Sequence, residues 1–341
     1  MHLSDLTGID WNMDNLTYPK QSMFDCSIII RAYNEEKNIG RLLMGINQQT
    51  IKENLEVILV DSGSTDNTLA IARAIHWQFP LKILHIRPDE FTFGYSLNRA
   101  IETAQHAIIV IASAHVFPIY PDWLERLLVP FQDPMVALVY GKQRGNQTTR
   151  FSEHQIFAHW FPEQTNLHQT HPFCNNANAA IRRSLWDIHP YDESLTGLED
   201  LEWAKWGLEA GYSIAYVSEA EIYHVHEDTP AGVYNRYRRE AMAFKRLFPH
   251  EHFTLLDFWR LVIKNIISDL RQAALEKCIS ANLGSIIWFR AMQFWGTYQG
   301  FQRSGPLTWQ LRQTFYYPQG IKPGKQTMKT DVEPIQYNEL E

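Results

Sequence analysis

The stretch from Ala107 to Pro118, AIIVIASAHVFP, limits the possible architectures more than any other part of the chain. Its β-branched apolar residues run on without polar alternation, the pattern of a strand buried on both faces of a sheet. Such a strand belongs at the sheet centre. In open α/β sheets, ligands collect in the crevice beyond the carboxyl ends of the strands. Ser113, Ala114 and His115 fall at that end. A single histidine after a strand is most often a satisfied loop residue, so its meaning depends on what stands around it.

The flanking sequence alternates in period. CSIIIR from Cys26 reads as a strand, and AYNEEKNIGRLLMGINQQ as a turn and a helix with Ile39, Leu42, Leu43 and Ile46 on one face. LEVILVD and LKILHI read as further strands, separated by the capped helix SGSTDNTLAIARAI and followed by the helix FGYSLNRAIETA. This alternation predicts an α/β fold whose mixed, mainly parallel central sheet is doubly wound, with right-handed crossovers. MVALVYG, NNANAAIRRSLW, GLEDLEWAKWGLEAGY and SIAYVSEAEIYHVH continue it to His226. Between them, residues 142–173 show little period and read as a long connection, either functional or mobile.

Four segments result: a polar extension over 1–24, the α/β domain over 25–226, a helical region over 227–318, and a polar tail over 319–341 that reads as disordered. In the helical region Leu255, Trp259, Val262, Ile263, Ile266, Ile267 and Leu270 line one face, with Arg260, Lys264 and Arg271 interleaved. Helices packed on the preceding domain and amphipathic helices lying on a membrane fit this pattern equally. A formal net charge of -7 over 341 residues argues against a general nucleic-acid binder. Three scattered cysteines without a CxxC pair, and an amino-terminal stretch with neither a basic start nor an apolar run, predict a cytoplasmic protein.

Three groups of residues could carry chemistry. Asp61 closes the strand LEVILVD, where an acid can bind a ribose or a base, with Tyr33 and Glu35 from the first turn nearby. The first turn, RAYNEEKNIG, has neither a dinucleotide fingerprint nor a P-loop, and it lacks the basic glycine-rich loop of a nucleotidyltransferase. Glu199 and Asp200 open a helix, either as surface charge favouring its N-terminus or as a general base in a cleft. The flanking Trp203 and Trp206 favour the cleft. His224 and His226 alternate at the end of a strand, so either both imidazoles meet one metal or only one does.

Six motifs in order, SIIIRAYNEEKNIG, VDSGSTDNT, FGYSLNRA, SAH before Pro118, GLEDLEW and YHVH, make residues 26–226 resemble the family 2 glycosyltransferases of the GT-A fold. The nearest flavour is the bacterial rhamnosyltransferase-like branch. The resemblance implies an inverting enzyme that moves a sugar from a nucleotide-sugar donor to a hydroxyl of a saccharide or lipid-linked acceptor in cell-surface polysaccharide assembly. Such an enzyme would work in the cytoplasm, at the inner face of the plasma membrane if the helical region makes peripheral contact. Ala32, Tyr33, Glu35, Asp61, Asn98, Ser113 and Ala114 would then bind the donor. Asp200 would be the base, with Glu199 as the alternative, and His224 or His226 would complete a metal shell. One departure matters. His115 stands where the family carries the last Asp of its metal motif, and a neutral nitrogen in place of an anionic oxygen favours Mn2+ over Mg2+. Three readings follow: a histidine metal site, a metal-independent transferase, and a catalytically silent subunit that binds nucleotide-sugar.

Overall fold

β1 (Cys26–Ala32) and β4 (Ile108–Ser113) pair in parallel at the middle of the sheet. Ile28, Ile30 and Val110 point into one core while Ile29, Ile109 and Ile111 point into the other. Two-sided burial is the reason these strands carry no polar alternation. The computed structural model describes residues 25–51, 54–226, 229–303, 305 and 307–317. The predicted 1–24 extension and 319–341 tail lie outside them.

From β1 the chain continues through α1 (Ile39–Asn47), β2 (Leu55–Asp61), α2 (Thr68–Ala74), β3 (Leu81–His85) and α3 (Phe93–Thr103) to β4. Next come β5 (Val116–Pro118), α4 (Trp123–Leu128), a short 3-10 turn, β6 (Val136–Arg144), α5 (Phe151–Trp160), β7 (Asn166–Gln169) and β8 (Asn178–Arg182). The domain ends with α6 (Arg183–Trp186), α7 (Glu199–Glu209) and β9 (Ser213–His224). Among the described residues the strands form one mixed sheet in the order β3-β2-β1-β4-β8-β6-β9-β5, with β7 paired to β9. The strands from β3 to β4 are parallel, as the alternation predicts. β8 is inserted antiparallel between β4 and β6.

Residues 142–173 differ from the expected irregular connection, because they hold α5 and β7. The period was hidden by two polar residues on the buried side of α5. Ser152 Oγ donates to Asp269 at 2.6 Å, and Glu153 lies 2.8 Å from His226 Nδ1. A helix that buries hydrogen-bonded polar groups loses the apolar stripe by which helices are read.

Among the described residues four helices follow: α8 (Pro230–Leu247), α9 (Leu255–Leu275), α10 (Ile279–Gln302) and α11 (Trp309–Tyr316). α8 and α10 approach closely because Gly296 and Gly300 face the backbone of Tyr234 and Arg238, where a Cβ would clash. The buried pair Arg290–Asp269, at 2.8 Å, joins α10 to α9. Met242, Tyr316 and Tyr317 enter the second core of the sheet, so the helical region shares a core with the α/β domain. Among the described residues no helix is long and apolar enough to cross a membrane.

Asn178 fastens the first residue of β8 to three elements. Its Oδ1 accepts from Trp123 Nε1 at 2.9 Å, and its Nδ2 donates to the carbonyls of Ala220 at 2.8 Å and Lys142 at 3.2 Å. All of this is buried. Asn178→Ala leaves three polar groups without partners and is expected to cost roughly 2 to 4 kcal/mol, measured by chemical denaturation. A loss below about 0.5 kcal/mol would contradict the fastening role.

Candidate active site

β1 ends in a turn where Asn34 takes a left-handed conformation (φ 54°), one that asparagine tolerates better than most residues. This turn is laced to the one after β2. Thr65 N donates to Asn34 Oδ1 at 2.8 Å, Asn34 N to Ser64 Oγ at 3.0 Å, and Glu35 N to Thr68 Oγ1 at 2.7 Å. Asp61 is buried at the end of β2, where its carboxylate accepts from the backbone N–H groups of Gly63 and Ser64, each at 3.2 Å. Tyr33 stands beside them, edge-on to Tyr317 at 4.7 Å between ring centroids, and Tyr317 donates its hydroxyl to Ser62 O. The carboxyl-terminal segment thus forms part of the wall at this end of the sheet. Nothing in the sequence motifs pointed to Tyr317.

Three imidazoles meet across β4, β5 and β9. His115 follows β4, and pairing of Val116 with His224 brings the end of β9 beside it. Ring centroids of His115 lie 5.1 Å from His224 and 5.3 Å from His226, and those of His224 and His226 are 4.1 Å apart. One ring nitrogen from each lies within 4.8 Å of the other two. Both candidates at the strand end therefore face the site. Nδ1 of each ring has an oxygen partner: Glu35 Oε1 at 2.8 Å from His115, Gln143 Oε1 at 2.7 Å from His224, and Glu153 Oε1 at 2.8 Å from His226. Arg236 Nη1 also lies 2.8 Å from His226 Nδ1, but Nη2 of the same guanidinium pairs with Glu153 at 2.9 Å. Glu153 in that ion pair is the natural acceptor of an Nδ1 proton. Nδ1 donation to a carboxylate or amide is the arrangement that fixes the tautomer of metal-binding histidines.

His224 carries the strongest local signal. Its Nε2 is buried without a hydrogen-bond partner, and burial first, then the neighbouring His226 and His115, hold its pKa well below the ordinary imidazole value. A neutral imidazole with an orphaned nitrogen suits a cation. Glu35, expected to contact a donor, instead partners His115. Ala114 is buried and Ser113 half-buried, with Ser113 N donating to Ala177 O. Ala32, at the end of β1, is also buried.

The paired acids occupy the first turn of α7. Leu198, left-handed at φ 58°, turns the chain into the helix, a conformation costing leucine about 1 kcal/mol that persists where the surroundings hold it. Both carboxylates are buried. Glu199 accepts from Arg31 Nη1 at 3.0 Å and Asn176 Nδ2 at 3.3 Å, while Asp200 accepts from the backbone N–H of Asn176 at 2.9 Å and of Leu201 at 2.8 Å. Burial above all, then the charge of Glu199, pushes Asp200 up to about 7, against the pull of those two N–H groups and Arg31. Two adjacent acids are thereby separated in role: one is paired with a cation, and the other is poised near neutrality. Arg31 was not among the sequence candidates. Its position in β1 opposite Ser113 is what carries it to this end of the sheet.

Two expectations need correction. Asn98 uses its whole side-chain capacity inside the protein, with Nδ2 donating to Tyr191 O and Glu193 Oε1 and Oδ1 accepting from Trp186 Nε1 and Tyr191 N. It clamps the approach to α7 and has no donor or acceptor left for a ligand. Trp203 is fully buried and donates to His189 O, so it is core rather than cleft, while Trp206 stacks on His189 at 4.5 Å.

Asp200 and the imidazoles share one end of the sheet. Residues 175–178 run beside the end of β4, where Asn178 pairs with Ala112 and Ala177 meets Ser113, and Asn176 in that segment holds Asp200. A cleft of about 370 Å³ opens next to the imidazoles, lined by Lys37, Asn38, Arg41, Asn146, Thr148 and Val225. Its two cations suit an anionic ligand.

The family model described as glycosyl transferase family 2 matches residues 27–188. O-antigen chain rhamnosyltransferase RfbN of Salmonella typhimurium is 28% identical over 223 residues, which cover 62% of this chain and 69% of that protein. O-antigen chain rhamnosyltransferase WbaN of Salmonella anatum is 29% identical over 210 residues, 56% of this chain and 62% of that one. The fold is similar to that of the mannosyltransferase PcManGT from Pyrobaculum calidifontis, solved in complex with GDP-Man and Mn2+, with a TM-score of 0.57 and 19% identity over 81% of this chain and 84% of that chain. With its motifs in family order and its sheet of the GT-A type, the chain is similar to glycosyl transferase family 2 over residues 27–188.

Proposed function

We propose that this glycosyltransferase moves a sugar from a nucleotide-sugar donor to a hydroxyl of a saccharide or lipid-linked acceptor in surface polysaccharide assembly, with inversion at the anomeric carbon. The observation that carries the reading is the convergence of Asp200, poised near neutrality, with three imidazoles at one end of the sheet. The likeness to the two Salmonella O-antigen chain rhamnosyltransferases supports a rhamnosyl donor. Peripheral contact with the inner face of the plasma membrane belongs to the same reading.

In the transfer, Asp200 takes the proton of the acceptor hydroxyl as its oxygen bonds to the anomeric carbon. The bond from that carbon to the donor diphosphate breaks on the opposite face, and the nucleoside diphosphate departs with the bonding pair. Arg31 pairs with Glu199, while Asp200 is the acid pushed up to about 7. Ala32, Tyr33, Asp61, Ser113 and Ala114 line the donor side of this reading. His115, His224 and His226 would hold a divalent cation, Mn2+ in preference to Mg2+ because all three ligands are neutral nitrogens. Such a cation would neutralise charge on the departing diphosphate. Glu35, Gln143 and Glu153 keep the rings oriented by accepting from Nδ1.

Three outcomes are expected. Asp200→Asn lowers kcat by at least about a hundredfold with donor affinity retained, in a nucleotide-release assay; near-normal turnover would remove the base assignment. The rate rises with pH through about 7 as Asp200 loses its proton, and Arg31→Met, which removes a charge that lowers that pKa, moves the rise to higher pH. Chelation abolishes transfer, Mn2+ restores it better than Mg2+, and Glu35→Ala weakens Mn2+ binding in electron paramagnetic resonance titrations by about 10- to 100-fold. Full activity in chelator would favour the metal-independent alternative.

A further inference from the structure

We infer that the α9–α10 hairpin is a docking surface for an anionic lipid bilayer, lying on the membrane without crossing it. Leu256, Trp259, Ile263 and Ile267 are 76%, 55%, 53% and 43% exposed along one side of α9, and Ile287 and Trp295 on α10 are 47% and 37% exposed. Spacings of three and four residues put the α9 set on a continuous stripe. Phe258 packs against both Trp259 at 4.9 Å and Trp295 at 5.5 Å, gathering the exposed indoles of the two helices at one end of the hairpin. The buried faces of these helices are already used. α10 packs on α8, and the pair Arg290–Asp269 with Ser152 seals the space between α9, α10 and α5.

The charge on this surface selects the occupant. α10 is 24 residues long and its single charged residue, Arg290, is buried in that pair. On α9 the exposed charged residues are Arg260, Lys264 and Arg271, which at 100° per residue fall next to the apolar stripe. Asp257, the remaining acid of α9 besides the buried Asp269, is engaged in the capping box with Thr254. A cationic, indole-bearing apolar face on a chain of net charge -7 is complementary to anionic headgroups. A second copy docking through the same face would bring cations toward cations. The inference deepens the proposed function, since it puts the transfer site beside a membrane that could present a lipid-linked acceptor.

The test is co-sedimentation of the full 341-residue chain with phosphatidylcholine vesicles containing about one third phosphatidylglycerol, without donor or metal, at low and high salt. Binding is expected to anionic vesicles, to weaken with salt, and to be at least about tenfold weaker in both Ile263→Glu/Ile267→Glu and Arg260→Ala/Lys264→Ala. Both pairs are exposed, and an unchanged melting temperature verifies their folding. Absence of binding to anionic vesicles, or binding indifferent to both substitutions, overturns the inference. So does a concentration-dependent dimer that Ile263→Glu/Ile267→Glu dissociates, which would assign the face to a second copy. Because the assay contains no sugar nucleotide, a negative result leaves the transferase reading standing, and an inactive enzyme that still binds vesicles leaves this one standing.

Discussion

The site depends on β8 running against its neighbours. A parallel strand in that place would deliver its carboxyl end to the crevice, whereas the antiparallel one delivers the segment before Asn178. That reversal puts a backbone N–H at Asp200, an amide at Glu199 and the Asn178 side chain among three elements, all within three residues. Backbone donors aimed at a buried carboxylate lower the cost of burying it without neutralising it. The result is a buried acid whose pKa is pushed up to about 7.

Paired carboxylates and grouped imidazoles share one design here. Each carries a partner that fixes its state: Arg31 for Glu199, and an oxygen acceptor on Nδ1 of each histidine. In the proposed metal site His115 would stand in for an anionic oxygen, and Glu35 lies directly behind its ring. Negative charge would then sit on the ligand's partner instead of on the ligand. An imidazole backed by a carboxylate is a stronger base toward a cation than an isolated one, so part of the lost attraction is recovered.

Much of the fold was legible because its strands are uniformly apolar and its first helices are amphipathic. The central position of β4, the order of elements from β1 to β4 and the meeting of His115 with the YHVH segment could all be read. What could not be read were residues whose role depends on a partner far along the chain. Arg31 looks like the polar end of a strand until Glu199 is beside it, and Asn98 looks like a ligand contact until Trp186, Tyr191 and Glu193 close on it. α5 was missed because Ser152 and Glu153 are buried polar residues whose partners lie 117 and 73 positions away. Periodicity records apolar burial, and these residues are buried by hydrogen bonding.

Those same two residues of α5 have a mechanical consequence. Ser152 is bonded to the ion pair inside the carboxyl-terminal hairpin, and Glu153, the next residue, grips the ring of His226. Adjacent positions on a single helical turn share one rigid backbone, so a tilt of the hairpin and a displacement of that imidazole are geared together. One peptide bond therefore separates the contact to the hairpin's ion pair from the contact to the imidazole cluster.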